Sequence, residues 1–248
     1  MCTVSFLPSA DGYHLAMNRD EQLSRMAALP PEQMRCGPLK AIYPRELGGG
    51  TWVGVNETGL AFALINWYSQ PQRLRAGTIT RGDVIPALLR VVTIADASAL
   101  LAQLPLDRMN PFRVIMVSNR KNSVVESRWS GESLQEVALP WKRQHWFSSG
   151  FDEAEANRQR RLTCARKVRS SSPDSAKWLR NLHRSHHPSK GAFSICMHRV
   201  DACTVSYTEL SVNKLAAVMA YSAGPACERG PHFSRTLRLA TQEFSRAA

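Results

Sequence analysis

The sequence lacks any apolar run that approaches the roughly 20 residues needed to cross a membrane. Residues 1–15 also lack the basic segment and the long apolar segment of a secretion signal. We therefore predict no integral membrane segment and a cytoplasmic location. The 248 residues are 44% hydrophobic, which is enough for a sizeable core. Because there is no repeat, low-complexity tract or clear linker, residues 1–248 are expected to form a single domain.

Cysteine is sparse, with six residues and no CxxC pair. This density is too low for a disulfide scaffold, and the ligand spacing of a closed zinc site is missing. We expect free thiols, no cofactor and no metal, even though Cys196 and His198 would share one face of a strand. Cys203 and Cys227 are interpreted as packing residues. The remaining histidines of this region are assigned to a solvated basic loop, and they are His183, His186 and His187.

The charge is unbalanced, with 32 Lys and Arg against 20 Asp and Glu, a formal net charge of +12. Such a surface attracts anionic molecules. However, the arginine-rich segment 158–169 lacks the aromatic side chains that stack on bases and matches no nucleic-acid-binding module, so we predict no nucleic-acid partner. Within this segment Leu162, Ala165 and Val168 are expected to form the buried stripe of a helix, with the arginines on its solvated face.

Alternating apolar residues predict strands at both ends of the chain, and longer patterns of helical period predict helices between them. The first hairpin is expected to join residues 2–7 to 13–19, and a second hairpin is expected to end at Asn66. Further strands are predicted at 112–118, 123–129, 193–198, 203–210 and 216–222, and helices at 83–104 (broken near Thr93), 153–168 and 174–183. This order fits an α+β fold in which two sheets pack face to face with helices outside.

Cys2 is the leading candidate for chemistry. A thiol attacks as the thiolate, so a catalytic cysteine needs a base or a positive neighbour. Removal of Met1 would leave Cys2 with an α-amine whose pKa is about 7.7–8.0, well placed to accept and return a proton. The alternative is that Cys2 is a buried strand residue, since free cysteine packs as a small hydrophobe.

Four stretches resemble the NRDE family, also called the transport and Golgi organisation family. They are MCTVSF at the start, NRDE at 18–21, GGGTWVGVNETGLAFALINW at 48–67 and SICMHRVDACTVSYTEL at 194–210. Each motif is weak alone and more specific in this order. The family is similar to N-terminal-nucleophile (Ntn) hydrolases such as choloylglycine hydrolases and penicillin V acylases. That resemblance implies a four-layer αββα sandwich and an N-terminal cysteine that cleaves linear amide bonds.

The resemblance also implies roles for individual residues. Arg19 and Asp20 would flank Cys2, with Asp20 holding its ammonium group, and Asn66 would help form an oxyanion hole. A hairpin centred on its loop places Cys2 opposite Asn18. Since consecutive residues of a strand point to opposite faces, Asn18 and Asp20 are expected on the side of Cys2, with Arg19 behind them or at a corner. Alternatively, this stretch is a polar strand end with a surface ion pair.

Two features of the related hydrolases have no clear counterpart. A second oxyanion asparagine is expected where this chain has Ser148, Ser149 and Gly150, so a hydroxyl or a backbone N–H would have to replace it. A late arginine is also expected, and Arg158 and Arg199 are the candidates.

The predicted function is hydrolysis or acyl transfer at a linear amide or related acyl bond, through a thioester on Cys2. The partner would be a small-molecule acyl or amide substrate. The alternative is a non-catalytic protein that binds a lipid, acyl-CoA or hydrophobic cofactor in the same cleft.

Overall fold

The computed structural model describes residues 2–71, 78–170 and 175–240, and more of these residues lie in strands than in helices. The strands are β1 (Cys2–Ser9), β2 (Gly12–Gln22), β3 (Leu29–Cys36), β4 (Leu39–Arg45), β5 (Val53–Asn56), β6 (Leu60–Asn66), β7 (Phe112–Ser118), β8 (Ser123–Trp129), β9 (Leu134–Leu139), β10 (Gln144–Ser148), β11 (Ala202–Val212), β12 (Ala216–Ala223) and β13 (His232–Arg238). The α-helices are α1 (Val84–Leu88), α2 (Ile94–Gln103), α3 (Glu153–Ser170) and α4 (Ala176–His183). Short 3₁₀ turns cover Arg81–Asp83 and Leu106–Arg108.

The strands form two antiparallel sheets. The first sheet has the order β10, β1, β2, β11, β12, β13, and the second sheet runs from β3 to β9 in chain order. Residues from both sheets fill one core between them, including Val4 and Phe6 of β1 and Ile65 of β6. The prediction of an α+β fold with two facing sheets is confirmed.

Helices cover the outer face of each sheet. Leu88 of α1 and Leu101 of α2 are buried against the second sheet, and Leu179 and Leu182 of α4 are buried in a cluster with residues of the first sheet. The resulting order of layers is helix, sheet, sheet, helix, as the resemblance implied. Within the described ranges, no helix combines the length and apolar character needed to span a membrane.

Strand β1 is buried on both faces, which explains its composition. Val4 and Phe6 point into the core between the sheets, whereas Thr3 and Ser5 point toward the helices and are also fully buried. Burying a hydroxyl is costly without a partner. Here Thr3 accepts a hydrogen bond from Arg160 of α3, and Ser5 bonds with His183 of α4. The polar positions of β1 therefore attach the sheet to its helices.

Three sequence-based expectations about the elements are wrong. Residues 193–198 form no strand and make only an isolated bridge, His198 with Cys203. The edge strands β3 and β13 were not predicted, because each alternates polar and apolar residues poorly. In α3 the expected stripe is misplaced, since Leu162 is 49% exposed. The residues that α3 actually buries are Ala156, Arg160, Thr163 and Cys164.

Candidate functional site

Cys2 begins β1 and lies between two neighbouring strands. It pairs directly with Arg19 of β2 on one side and with Ser148 of β10 on the other. Directly opposed residues of an antiparallel pair point to the same face of the sheet, so Arg19 and Ser148 share the face of Cys2. The cysteine is only 8% exposed and packs into the core between the sheets.

The expected pairing of Cys2 with Asn18 is wrong by one residue. Asn18 pairs with Thr3 and points toward the helices. Its Nδ2 donates to the carbonyl oxygens of His183 and Ile195, each at 2.9 Å. A slip of one residue exchanges the two faces of a strand. Asn18 therefore points away from the face of Cys2 and attaches α4 and the loop after it to the sheet. Arg19, which was expected behind that face or at a corner, points to the same side as Cys2.

A cavity of about 110 Å³ lies beside Cys2. Three other predicted site residues, Arg19, Asp20 and Asn66, also line it. The remaining lining residues are Glu21, Arg25, Glu46, Thr51, Trp52, Leu64, Thr80, Arg81 and Gly82. Residues from β1, β2, the end of β6 and three loops therefore meet at one end of the sandwich. This fold brings together positions that lie up to 80 residues apart in the chain.

Gly50 helps to explain how Arg81 reaches this cavity. A Cβ added at Gly50 would lie 3.1 Å from the Cα of Gly82, so a larger residue would push the two loops slightly apart. The Thr51 N–H also donates to the Gly82 carbonyl at 3.0 Å. The two loops therefore pack backbone against backbone, and the sequence Arg81-Gly82-Asp83 forms part of the wall beside Cys2. Sequence reasoning had given Arg81 no role.

Asp20 is held by two buried groups. Its Oδ1 accepts a hydrogen bond from Thr204 at 2.6 Å, and its Oδ2 lies 3.3 Å from Arg160 Nη2. The side chains of Asp20 and Arg160 have no exposed surface. Arg160 also donates from Nη1 to the carbonyl oxygens of Cys2 (3.3 Å) and Ser148 (3.5 Å). A single guanidinium thus joins the Asp20 carboxylate to the backbone of Cys2 and to that of the neighbouring strand β10.

Neither of the two candidates for a late arginine lines the cavity. Arg158 pairs with Glu155 on the exposed side of α3, and Arg199 pairs with Asp201. Arg160, which the sequence analysis placed on the solvated face, is the buried one. The signal that could have located it is helical spacing, because Ala156, Arg160 and Cys164 lie four residues apart and form a single buried row.

Two arginines and two glutamates form a closed ring of ion pairs along the cavity. Arg19 and Arg25 each approach both Glu21 and Glu46, at 2.7 to 3.3 Å. The Arg19 guanidinium also stacks over Trp52, with 4.4 Å between Cζ and the ring centroid. These contacts hold Arg19 in one position beside Cys2. Because the charges of the ring cancel, the excess positive charge of the chain is not concentrated in it.

Burial raises the pKa of the Cys2 thiol above its usual value, and the negative charge of Asp20 adds to the rise. The positive N-terminal amine, the backbone N–H of Asp20 and the Arg19 guanidinium act in the opposite direction but do not overcome burial. The thiol is therefore protonated at neutral pH. A nucleophilic role for Cys2 would therefore require a base that removes the thiol proton.

The polar groups near Cys2 include two that suit an oxyanion. Asn66 ends β6, lines the cavity and donates from Nδ2 to the Tyr68 hydroxyl at 2.7 Å. Ser148 Oγ is buried and has no hydrogen-bond partner among the residues that the structure describes. Ser149 differs, because its Oγ accepts from the backbone N–H of Phe151. Of the replacements considered for the second asparagine, Ser148 is the one that shares the face of Cys2.

A buried histidine pair lies behind the site. Ser5 Oγ is 2.9 Å from His145 Nδ1 and from His183 Nε2, and His183 Nδ1 is 3.0 Å from Asn18 Oδ1. Since Asn18 Oδ1 can only accept, His183 carries its proton on Nδ1 and accepts from Ser5 at Nε2. Burial, reinforced by nearby positive groups, lowers the pKa of both histidines to about 3. Both rings are therefore neutral at neutral pH.

Acid should destabilise the folded chain between about pH 6.5 and pH 3 through this pair. Below the ordinary histidine pKa of about 6.5, the unfolded chain binds protons that the folded chain cannot, so the free energy of unfolding falls as the pH falls. Each ring contributes up to about 1.4 kcal/mol per pH unit in that window. Urea unfolding measured from pH 7.5 to pH 4 tests this slope. It should be shallower for His145→Gln and unchanged for the exposed His232→Gln; equal slopes in all three proteins would contradict the assignment.

A second group of side chains lies apart from the cavity. It consists of His186, Cys196, His198 and Cys227, whose ligand-type atoms all lie within 4.8 Å of one another. The sequence analysis had assigned His186 to a solvated loop and Cys227 to packing, and it had placed Cys196 and His198 on one face of a strand without expecting a metal. The fold brings them together from the loop after α4, the segment before β11 and the segment after β12.

The chain is similar to known proteins at two levels. The sequence profile of the family described as Transport and Golgi organisation 2 matches residues 1–151. No curated protein matches significantly. Among solved structures, a mutant of conjugated bile acid hydrolase from Clostridium perfringens has a TM-score of 0.57 at 9% identity, covering 98% of this chain and 97% of that one. Penicillin V acylase from Agrobacterium tumefaciens has a TM-score of 0.56 at 11% identity, covering 94% and 85%. At such identities the likeness concerns the fold.

Proposed function

Because the chain belongs to the Transport and Golgi organisation 2 family and has an Ntn-hydrolase-like fold, we propose that it is an N-terminal cysteine hydrolase or acyltransferase. The bond attacked is a linear amide or a related acyl bond of a small molecule. The observation that carries this proposal is the position of Cys2, at the start of a buried strand and beside a cavity that Arg19, Asp20 and Asn66 also line.

The reaction begins after Met1 is removed. The α-amine of Cys2 takes the thiol proton while Sγ attacks the acyl carbon, and the carbonyl oxygen becomes an oxyanion. The ammonium then returns the proton to the departing amine nitrogen, which leaves a thioester on Cys2. Water, deprotonated by the same α-amine, attacks the thioester; the C–S bond then breaks to give the free acid, and the ammonium returns the proton to Cys2 Sγ. In acyl transfer, a second amine or alcohol takes the place of water.

Neighbouring residues would orient these groups. Asp20, fixed by Arg160 and Thr204, balances the ammonium that forms on Cys2. Arg19 borders the thiol, where its positive charge favours the thiolate. Asn66 and the hydroxyl of Ser148 supply hydrogen bonds to the oxyanion. Because burial raises the pKa of the Cys2 thiol, the thiol would not ionise unaided at neutral pH. The α-amine is therefore needed as the base that takes its proton.

The size of the cavity argues against the alternative of a lipid or acyl-CoA binder in the same cleft. Pockets that enclose ligands of drug size are typically about 300–1,000 Å³. The cavity beside Cys2 is about 110 Å³, and charged or polar side chains supply most of its lining. It has room for the polar group around a scissile bond, and the rest of a substrate would lie outside it.

Mass spectrometry of the purified full-length protein tests the proposal directly. The intact mass should correspond to loss of Met1. After incubation with penicillin V, a conjugated bile acid and a panel of N-acyl amino acids, acid quenching should trap an acyl group on the peptide that begins with Cys2. The adduct should be released by hydroxylamine at neutral pH, as a thioester is.

Two outcomes would exclude the proposed mechanism. One is an intact mass that retains Met1 on all of the protein. The other is an acyl adduct that forms equally in the Cys2→Ala variant, which would place the reactive group elsewhere. The Cys203→Ala variant removes a thiol outside the cavity and should be acylated as the unmodified protein is.

The Asn66→Ala variant should lower kcat by roughly 10²–10³-fold with little change in KM, because an oxyanion donor acts mainly in the transition state. Steady-state kinetics with whichever amide is cleaved provide the measurement. Tyr68→Phe is the matched control, since it removes the group to which Asn66 donates but keeps the amide itself. A loss that appears in KM alone would assign Asn66 to substrate binding instead.

A further inference from the structure

We propose that His186, Cys196, His198 and Cys227 bind one structural zinc ion. His198 Nε2 lies 3.7 Å from Cys196 Sγ and 3.4 Å from Cys227 Sγ. The ring of His186 packs edge-on against that of His198, with 5.1 Å between centroids. The Nε2 atom of His186 is buried and has no hydrogen-bond partner among residues 2–71, 78–170 and 175–240. Two thiols and two imidazoles thus converge, and the Nε2 atom of His186 is available to bind a metal ion.

The distances match those of a tetrahedral site. With Zn–S of about 2.3 Å and Zn–N of about 2.0–2.1 Å, tetrahedral geometry places a nitrogen and a sulfur ligand about 3.6 Å apart. The two N···S distances of 3.7 and 3.4 Å bracket this value. All four ligand atoms lie within 4.8 Å of one another, so small rotations of side chains would complete the tetrahedron.

The ligand set favours zinc over other metals. Two thiolates and two imidazoles are typical of structural zinc, whereas magnesium and calcium prefer oxygen ligands. Four protein ligands also leave no open position for water, which makes the site structural rather than catalytic. The sequence lacks the short ligand spacing that is typical of a closed zinc site, because these four ligands come from three separate segments of the chain.

Zinc at this position would stabilise the loop that supports Asp20. The segment with Cys196 and His198 lies next to Thr204, whose hydroxyl accepts from the Met197 N–H at 2.9 Å and donates to Asp20 at 2.6 Å. Cys227 follows β12, at the other side of the site. The metal would therefore join the loop 184–201 to the end of β12. The inference does not depend on catalysis by Cys2, because metal content and stability are measured independently of turnover.

Elemental analysis of protein purified without chelator tests the proposal. We expect close to one zinc per chain. Zinc X-ray absorption should report two sulfur and two nitrogen neighbours, at about 2.3 Å and about 2.0 Å. After metal removal, added Co²⁺ should give the visible absorption of a tetrahedral ion bound by thiolates. These measurements use the unmodified chain, so they do not depend on whether a variant folds.

Variants assign the ligands. Cys196→Ser and Cys227→Ser should each lose most of the zinc, whereas Cys203→Ser, which changes a thiol on the adjoining strand, should keep it. Chelator should lower the midpoint of thermal unfolding by several degrees in the unmodified protein and leave Cys227→Ser unaffected. Absence of zinc from the purified protein, zinc retained by both ligand variants, or a Cys196–Cys227 disulfide in its place would each overturn the proposal.

Discussion

The Cys2→Ala variant should lose amide turnover by on the order of 10⁵–10⁶-fold, the size of effect seen when an enzyme loses a nucleophile that works as a unit with its base. The loss should be this large because alanine keeps the α-amine but has no thiol, so no atom at position 2 can attack the acyl carbon and form the thioester. Cys2 is also only 8% exposed, so an alanine fits the same space and the fold should persist. Initial rates of amide cleavage measure the effect, with Cys36→Ala as a control that changes a buried thiol away from the cavity.

The role of the α-amine can be separated from that of the thiol. A chain that carries an uncleaved N-terminal extension keeps the Cys2 thiol but holds its nitrogen in an amide, which cannot accept a proton at neutral pH. Such a chain should be as inactive as Cys2→Ala. Proteolysis that leaves Cys2 as the first residue should restore turnover in the same sample. Full activity before proteolysis would show that another group is the base.

Replacing Arg160 by methionine should destabilise the folded chain by about 3–5 kcal/mol, the cost of leaving one partner of a buried ion pair without the other. The Arg160 and Asp20 side chains have no exposed surface, and Arg160 also donates to Thr3 Oγ1 and to the carbonyl oxygens of Cys2 and Ser148. Methionine has a similar length but no charge. Urea unfolding of the two proteins at neutral pH gives the difference in free energy.

Two further variants isolate the buried charge. Arg158→Met removes an exposed arginine two residues away, whose pair with Glu155 lies at the surface, and should cost less than about 1 kcal/mol. Adding Asp20→Asn to Arg160→Met should recover part of the lost stability, because the uncompensated carboxylate is then gone. A cost below about 1 kcal/mol for Arg160→Met would mean that water reaches Asp20 in the folded chain.

Local patterns predicted most of the central strands and all four helical regions, because each such element leaves a periodic signal in its own sequence. Edge strands such as β3 and β13 were missed, since an edge strand packs mainly on one face and needs fewer apolar residues. The first hairpin was predicted with an error of one residue. That small error reversed the faces of Asn18 and Arg19, because the side-chain period of a strand is two.

The residues of the candidate site were also predicted only in part. Motif order indicated Cys2, Arg19, Asp20 and Asn66, and all four line one cavity. Their catalytic roles stay predictions. Arg160 was overlooked because arginine is usually solvated, although its helical spacing from Ala156 and Cys164 marks it as buried. Arg81 was overlooked because a loop residue has no periodic pattern that reports its burial.

The sequence by itself determined the elements that local periodicity controls, and it indicated Cys2 as the candidate nucleophile. Only the tertiary structure decided which side chains share a face with that thiol, which arginine compensates the buried Asp20, and that His186, Cys196, His198 and Cys227 meet. The physical reason is that register and long-range contacts depend on packing between segments far apart in the chain. Periodicity within one segment reports which face is buried, but it carries no information about which residues will face it.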